Sequence, residues 1–84
     1  MRQANVSVYG SRTCPDTVRA TEFLDGQGIP FEFKDVDQFP EFNDYIAGLN
    51  GGKRVMPTIQ VENEFLINPD TKKLAEAIKA AAGG

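Results

Sequence analysis

Cys14 is the residue through which this chain could do most of its chemistry. It is the only cysteine and there is no histidine, so neither an imidazole-based triad nor a self-contained zinc site can be assembled. The loop Gly10-Ser11-Arg12-Thr13 precedes it and Pro15 follows, and a residue without an N–H suits the first position of a helix. A thiol at that junction meets unpaired N–H groups and the positive end of the helix dipole, which stabilise the nucleophilic thiolate. Arg12 adds positive charge, while Asp16 in the first turn opposes it as a like charge. Thr17 stands where a C-x-x-C motif holds its second thiol. Its hydroxyl can donate to a Cys14 thiolate on the same helix face but cannot resolve a mixed disulfide, so an outside thiol has to do that. The plain alternative is a buried, inert cysteine.

A second constellation is Val55-Met56-Pro57. A cis Met56-Pro57 bond would turn the Met56 N–H and C=O toward the open side, as a short ladder for an extended peptide or thiol ligand. An ordinary trans proline at a strand entry is the alternative. The acids Glu22, Asp25, Asp35, Asp37, Glu41 and Asp44 are scattered and read as solvated surface, as do Lys72, Lys73 and Lys79. No pair of acids has the company that general acid–base work or metal binding needs. Phe23, Phe31, Phe33, Phe42 and Phe65 fall at helix or strand spacing and read as core.

These residues need elements to hold them. Alternation over Asn5–Tyr9 predicts a first strand, and Val18, Ala20 and Leu24 a helix from Pro15 to Gly26 or Gly28. Phe31–Val36 reads as a second strand and Pro40–Leu49 as a second helix. Thr58–Val61 and Phe65–Ile67 form a hairpin, with Asn63 suited to the left-handed turn position. Asp70 or Asn68 caps a last helix over about Thr71–Ala82. The order βαβ, α, ββα predicts an α/β fold with a four-stranded mixed sheet and three helices.

Eighty-four residues hold one domain, 1–84, with 80–84 expected as a frayed tail. A net charge of −3 without a basic tract argues against nucleic acid or an anionic membrane surface as partner. Apolar runs of a few residues give neither a membrane span nor a signal-peptide core. A single cysteine fits a reducing compartment, and a cytoplasmic monomer is expected.

The order of elements, together with Thr13-Cys14-Pro15-Asp16-Thr17 and the later Val55-Met56-Pro57-Thr58, resembles the glutaredoxin family of the thioredoxin fold. The likeness runs from about Val6 to Ala80 and is similar to the short bacterial, mycoredoxin-like members. It implies a thiol–disulfide oxidoreductase with Cys14 as nucleophile, assisted by Thr17. It implies a cis Pro57 and a Met56 backbone that pairs with the cysteinyl part of a small thiol, with Arg12, Thr13, Pro15 and Val55 alongside. Arg54 would meet a carboxylate of that thiol, and Asp70 with Thr71 its other end. Dithiol members read C-P-Y-C and cluster-handling members C-G-F-S, whereas this chain reads C-P-D-T. Ser11 occupies the place of a lysine common in the family. The implied reaction is monothiol reduction of mixed disulfides between proteins and glutathione or another low-molecular-weight thiol, with no permanently bound cofactor. Two alternatives remain: a module binding a [2Fe–2S] cluster through Cys14 thiolates, and a non-catalytic adaptor.

Overall fold

The structure, a computed structural model, describes residues 4–83. The chain runs β1 (Val6–Gly10), α1 (Pro15–Gly26), β2 (Glu32–Asp35), α2 (Pro40–Leu49), β3 (Thr58–Val61), β4 (Glu64–Ile67) and α3 (Thr71–Gly83). The four strands make one sheet in the order β2-β1-β3-β4. β1 lies parallel to β2, with Val8 opposite Phe33, and antiparallel to β3, with Val8 opposite Ile59. This is the mixed sheet with three helices that the order of elements predicts. None of the described helices is long and apolar enough to cross a membrane.

Strand alternation divides the apolar residues between two faces. Val6 and Val8 of β1 with Ile59 and Val61 of β3 pack against Ala20 and Leu24 of α1 and Leu74 and Ile78 of α3. Leu24, Ile59 and Leu74 are fully buried, each contributing about 1.5–3 kcal/mol. On the other face Tyr9, Val36 and Ile46 of α2 form a smaller cluster, flanked by Phe42 and Met56. Apart from Tyr9, the buried core is aliphatic. Phe23, Phe31, Phe33, Phe42 and Phe65, expected inside, are all half-buried at its margins. Phe23, Phe31 and Phe33 pack against the first cluster and Phe42 against the second, where it meets Tyr9 edge-on at 5.7 Å, while Phe65 meets Tyr45 at 6.2 Å.

The ends of several elements differ from expectation for identifiable reasons. β1 is shifted by one residue, and β2 is trimmed at both ends, although the Val36 N–H still donates to the Gly10 carbonyl at 3.1 Å. In the β3–β4 turn the positive φ falls on Glu62 (54°), not on Asn63. Glu62 is fixed there: its N–H donates to the Asn5 carbonyl at 2.9 Å, its carboxylate accepts the Asn5 N–H at 2.5 Å, and its carbonyl accepts the Gln60 amide at 2.9 Å. The tail expected to fray is helical through Gly83, because Ala81 and Ala82 pack on the core and alanine favours helix; Gly84 lies outside the described residues. Asp70, rather than Asn68, caps α3, its carboxylate accepting the Lys73 N–H at 2.8 Å.

Candidate active site

Cys14 is the N-cap of α1, with extended backbone (φ −87°, ψ 119°) and Pro15 at the first helical position. Its carbonyl accepts the Val18 N–H at 3.0 Å and so opens the helix, and its own N–H donates to the Ser11 carbonyl at 3.1 Å. No side chain caps this end, so half-buried Cys14 opens a helix whose first-turn N–H groups have no intrahelical partner.

The charges around it are committed elsewhere. Asp16 pairs with Arg19 one turn along and accepts from the Asn68 amide at 3.4 Å, which directs its carboxylate into the groove between α1 and α3. The Arg12 guanidinium lies 4.6 Å from the centre of the Phe33 ring and 3.7 Å from the Asp35 carboxylate, so it is engaged with β2. Thr17 does not make the hydrogen bond to Cys14 expected of it. Its side chain is turned inward onto Gly10 of β1, where its Oγ1 is buried with no hydrogen-bond partner among the described residues.

Ser11 is the organiser of the loop. It is buried, its hydroxyl donates to Asp37 at 2.5 Å, lies 2.8 Å from the Thr13 hydroxyl, and accepts the Thr13 N–H at 3.2 Å. Asp37, read from sequence as solvated surface, is therefore tied to the cysteine loop from 26 residues away. Sequence spacing holds no signal for that pairing.

The Met56-Pro57 peptide bond is cis. Thr58 closes the turn through its hydroxyl, which donates to the Val55 carbonyl at 2.8 Å. Among the described residues the Met56 N–H and C=O have no hydrogen-bond partner, so both are free to pair with an extended ligand. Arg54, exposed, donates to the Asn43 amide oxygen at 2.8 Å, and Asn43 in turn donates to the Val36 carbonyl at 3.0 Å. The arginine is thereby held over α2, an anchor absent from the sequence reading.

Asn68 joins the parts. Its N–H donates to the Pro57 carbonyl at 2.8 Å and its side chain reaches Asp16. Asp16, Arg19, Asn68, Pro69, Asp70 and Thr71 line a groove of about 150 Å³ between the starts of α1 and α3. Asp70 spends one carboxylate oxygen on Lys73, and the first-turn N–H groups at Thr71 and Lys72 remain for a ligand.

The chain is similar to known proteins over most of its length. The glutaredoxin family model matches residues 6–66. Mycoredoxin 1 of Corynebacterium glutamicum is 30% identical over 80 residues, covering 94% of this chain and 99% of that protein. A probable glutaredoxin of Synechocystis sp. is 29% identical over 63 residues, covering 75% of this chain and 72% of its own. The crystal structure of a glutaredoxin from Archaeoglobus fulgidus superposes with a TM-score of 0.79 at 26% identity, covering 90% of this chain and 87% of that one.

Proposed function

The chain belongs to the glutaredoxin family of thiol–disulfide oxidoreductases, and from that premise we propose that it is a monothiol member, reducing mixed disulfides between proteins and a low-molecular-weight thiol. The observation that carries this reading is the single thiol: Cys14 is the only cysteine, half-buried at the N-cap of α1. The Cys14 thiolate attacks the small-thiol sulfur of the mixed disulfide. A new S–S bond forms, the old one breaks, and the protein thiolate leaves and takes a proton from water. A second small thiol, as its thiolate, then attacks the bound one, leaving as a small disulfide and returning Cys14 to its thiolate. Neither step calls for a second cysteine in the chain.

The surrounding residues bind and orient. The free Met56 N–H and C=O pair with the cysteinyl backbone of the small thiol, Arg54 takes a carboxylate at one end, and the groove at Asp70 and Thr71 takes the other. Two carboxylates line that groove against one guanidinium, which is itself paired with Asp16. The ligand end that fits it brings hydroxyl or N–H donors for these carboxylates and an acceptor for the first-turn N–H groups at Thr71 and Lys72. The test is release of a peptide from its mixed disulfides with glutathione and with other small thiols, in wild type and Cys14→Ser. Release should depend on added small thiol and vanish in the variant. Persistence in Cys14→Ser, or no release by the wild-type protein with any of them, would sink the reading.

A further inference from the structure

We propose that Asp37, acting through Ser11, fixes the Thr13 hydroxyl as a hydrogen-bond acceptor beside Cys14, so that the site favours disulfides carrying an N–H donor next to the attacked sulfur. The inference rests on the exchange reaction proposed above and names a preference of that same site.

The argument is a count of protons. The Ser11 oxygen has three polar neighbours: the Asp37 carboxylate at 2.5 Å, the Thr13 hydroxyl at 2.8 Å and the Thr13 N–H at 3.2 Å. A serine hydroxyl has one proton to give and two sites that accept. A carboxylate only accepts, so the Ser11 proton goes to Asp37. A backbone N–H only donates, so Thr13 N–H takes one accepting site. The remaining contact joins two hydroxyls, and with the Ser11 proton already used its donor is Thr13. Ser11 is then saturated, which suits a side chain in a residue only 3% exposed. The single hydroxyl proton of Thr13 points inward, and this exposed residue offers lone pairs outward.

Asp37 is itself held in place, its N–H donating to the Asp35 carboxylate at 2.9 Å. The neighbouring Cys14 N–H is occupied by the Ser11 carbonyl. The group presented just before the nucleophile is therefore an acceptor, and the Arg12 guanidinium of this loop is turned onto Phe33 and Asp35. An incoming amide N–H finds a partner there, and an incoming carbonyl finds none. Asp37 is a positioning residue in this scheme and Thr13 determines specificity. Neither transfers a proton: the Cys14 thiolate forms the new S–S bond, and the departing thiolate is protonated by water.

The experiment compares two uncharged symmetric disulfides, N,N′-diacetylcystamine and its N,N′-dimethyl analogue, which differ in the amide N–H. The rate of Cys14 mixed-disulfide formation is followed by mass spectrometry, and the ratio of the two rate constants is the readout, because general damage to the loop cancels in it. Wild type should favour the N–H compound by about three- to tenfold, the worth of one hydrogen bond. Thr13→Val, which keeps volume and removes the acceptor, should bring the ratio to about one by loss of that bond, and Thr13→Ser should restore it. Asp37→Ala removes the acceptor of the Ser11 proton, which then turns to the Thr13 hydroxyl and reverses the chain, with the same loss of preference. An unchanged ratio in Thr13→Val or Asp37→Ala, or a wild-type ratio of one, would overturn the proposal while leaving the exchange reaction standing. Failure of the wild-type protein to form either adduct would overturn both.

Discussion

Thr17 rests so closely on Gly10 that a Cβ built at Gly10 would lie 2.4 Å from its Oγ1 and 2.7 Å from its Cγ2. The start of α1, and with it Cys14, is seated on β1 at a place where only glycine fits. Gly10→Ala forces helix and strand apart and is expected to cost about 1–3 kcal/mol, as overpacking does. Thr17→Ala removes the two closest atoms and leaves only Cβ, at 3.1 Å. The double variant should recover most of the loss, a coupling that urea midpoints of the four proteins will measure. Additive losses would mean that the two residues do not press on each other.

The Thr17 hydroxyl is buried without a partner among the described residues, so it carries a desolvation cost that no hydrogen bond to them offsets. Thr17→Val keeps the shape and removes the hydroxyl. It is expected to raise stability by about 1 kcal/mol, read from the urea midpoint. A tenfold slowing of Cys14 alkylation with no gain in stability would instead put the hydroxyl at the sulfur.

What could be read from the sequence was whatever is local along the chain. Pro15 after Cys14 marks a helix start by itself, and Val6-Ser7-Val8-Tyr9 shows its two faces by alternation. The links that assemble the site join distant residues: Ser11 with Asp37, Arg54 with Asn43, Asn68 with both Pro57 and Asp16. Each depends on tertiary placement, and no period or spacing announces it. Thr17 shows the same limit, since one helical turn from Cys14 sets its position but not which way its hydroxyl points. For the phenylalanines, hydrophobic periodicity gives the face but not the depth: Phe23, Phe31, Phe33 and Phe42 pack against the core yet stay half-buried.

Arg54 is steered by Asn43, whose side chain accepts from the guanidinium and donates to the Val36 carbonyl. Asn43→Ala releases the arginine without removing its charge. For a mixed disulfide bearing a carboxylate, the expected outcome is a rise in KM of about threefold with little change in kcat, since uniform binding is what is lost. Arg54→Ala should raise KM further, and Asn43→Ala should add nothing in that background. Steady-state kinetics of the three variants decide it, and an additive effect would separate Asn43 from the arginine.

Tyr9 is buried against α2, and burial pushes its hydroxyl above the ordinary tyrosine value of 10.0, with repulsion from Tyr45 adding to the rise and Lys34 opposing it. The folded state therefore holds this proton more tightly than the unfolded chain. Stability from Tyr9 is complete below about pH 10 and is lost as pH rises through the folded value. Urea midpoints from about pH 9 to about pH 11.5 should fall more steeply for wild type than for Tyr9→Phe. Parallel curves would contradict the placement of the ring.

Asn68 sits in the left-handed region (φ 44°), where its N–H reaches the Pro57 carbonyl and its amide reaches Asp16. Asparagine tolerates that backbone, glycine adopts it freely, and a β-branched residue is strained there. The two roles of the residue can be separated on that basis. Asn68→Gly keeps the conformation and the bond to Pro57 while removing the amide, so stability should change by only a few tenths of a kcal/mol. Asn68→Val strains the backbone itself, costing about 1–3 kcal/mol and loosening the loop that carries Met56. Mixed-disulfide binding should therefore weaken in both variants, modestly in Asn68→Gly, where only one wall of the groove is altered, and more in Asn68→Val, where the Met56 ladder shifts as well. Unfolding midpoints and KM values measured together test this. Equal stability of the two variants would show that the backbone at Asn68 carries no strain and that its amide is its whole contribution.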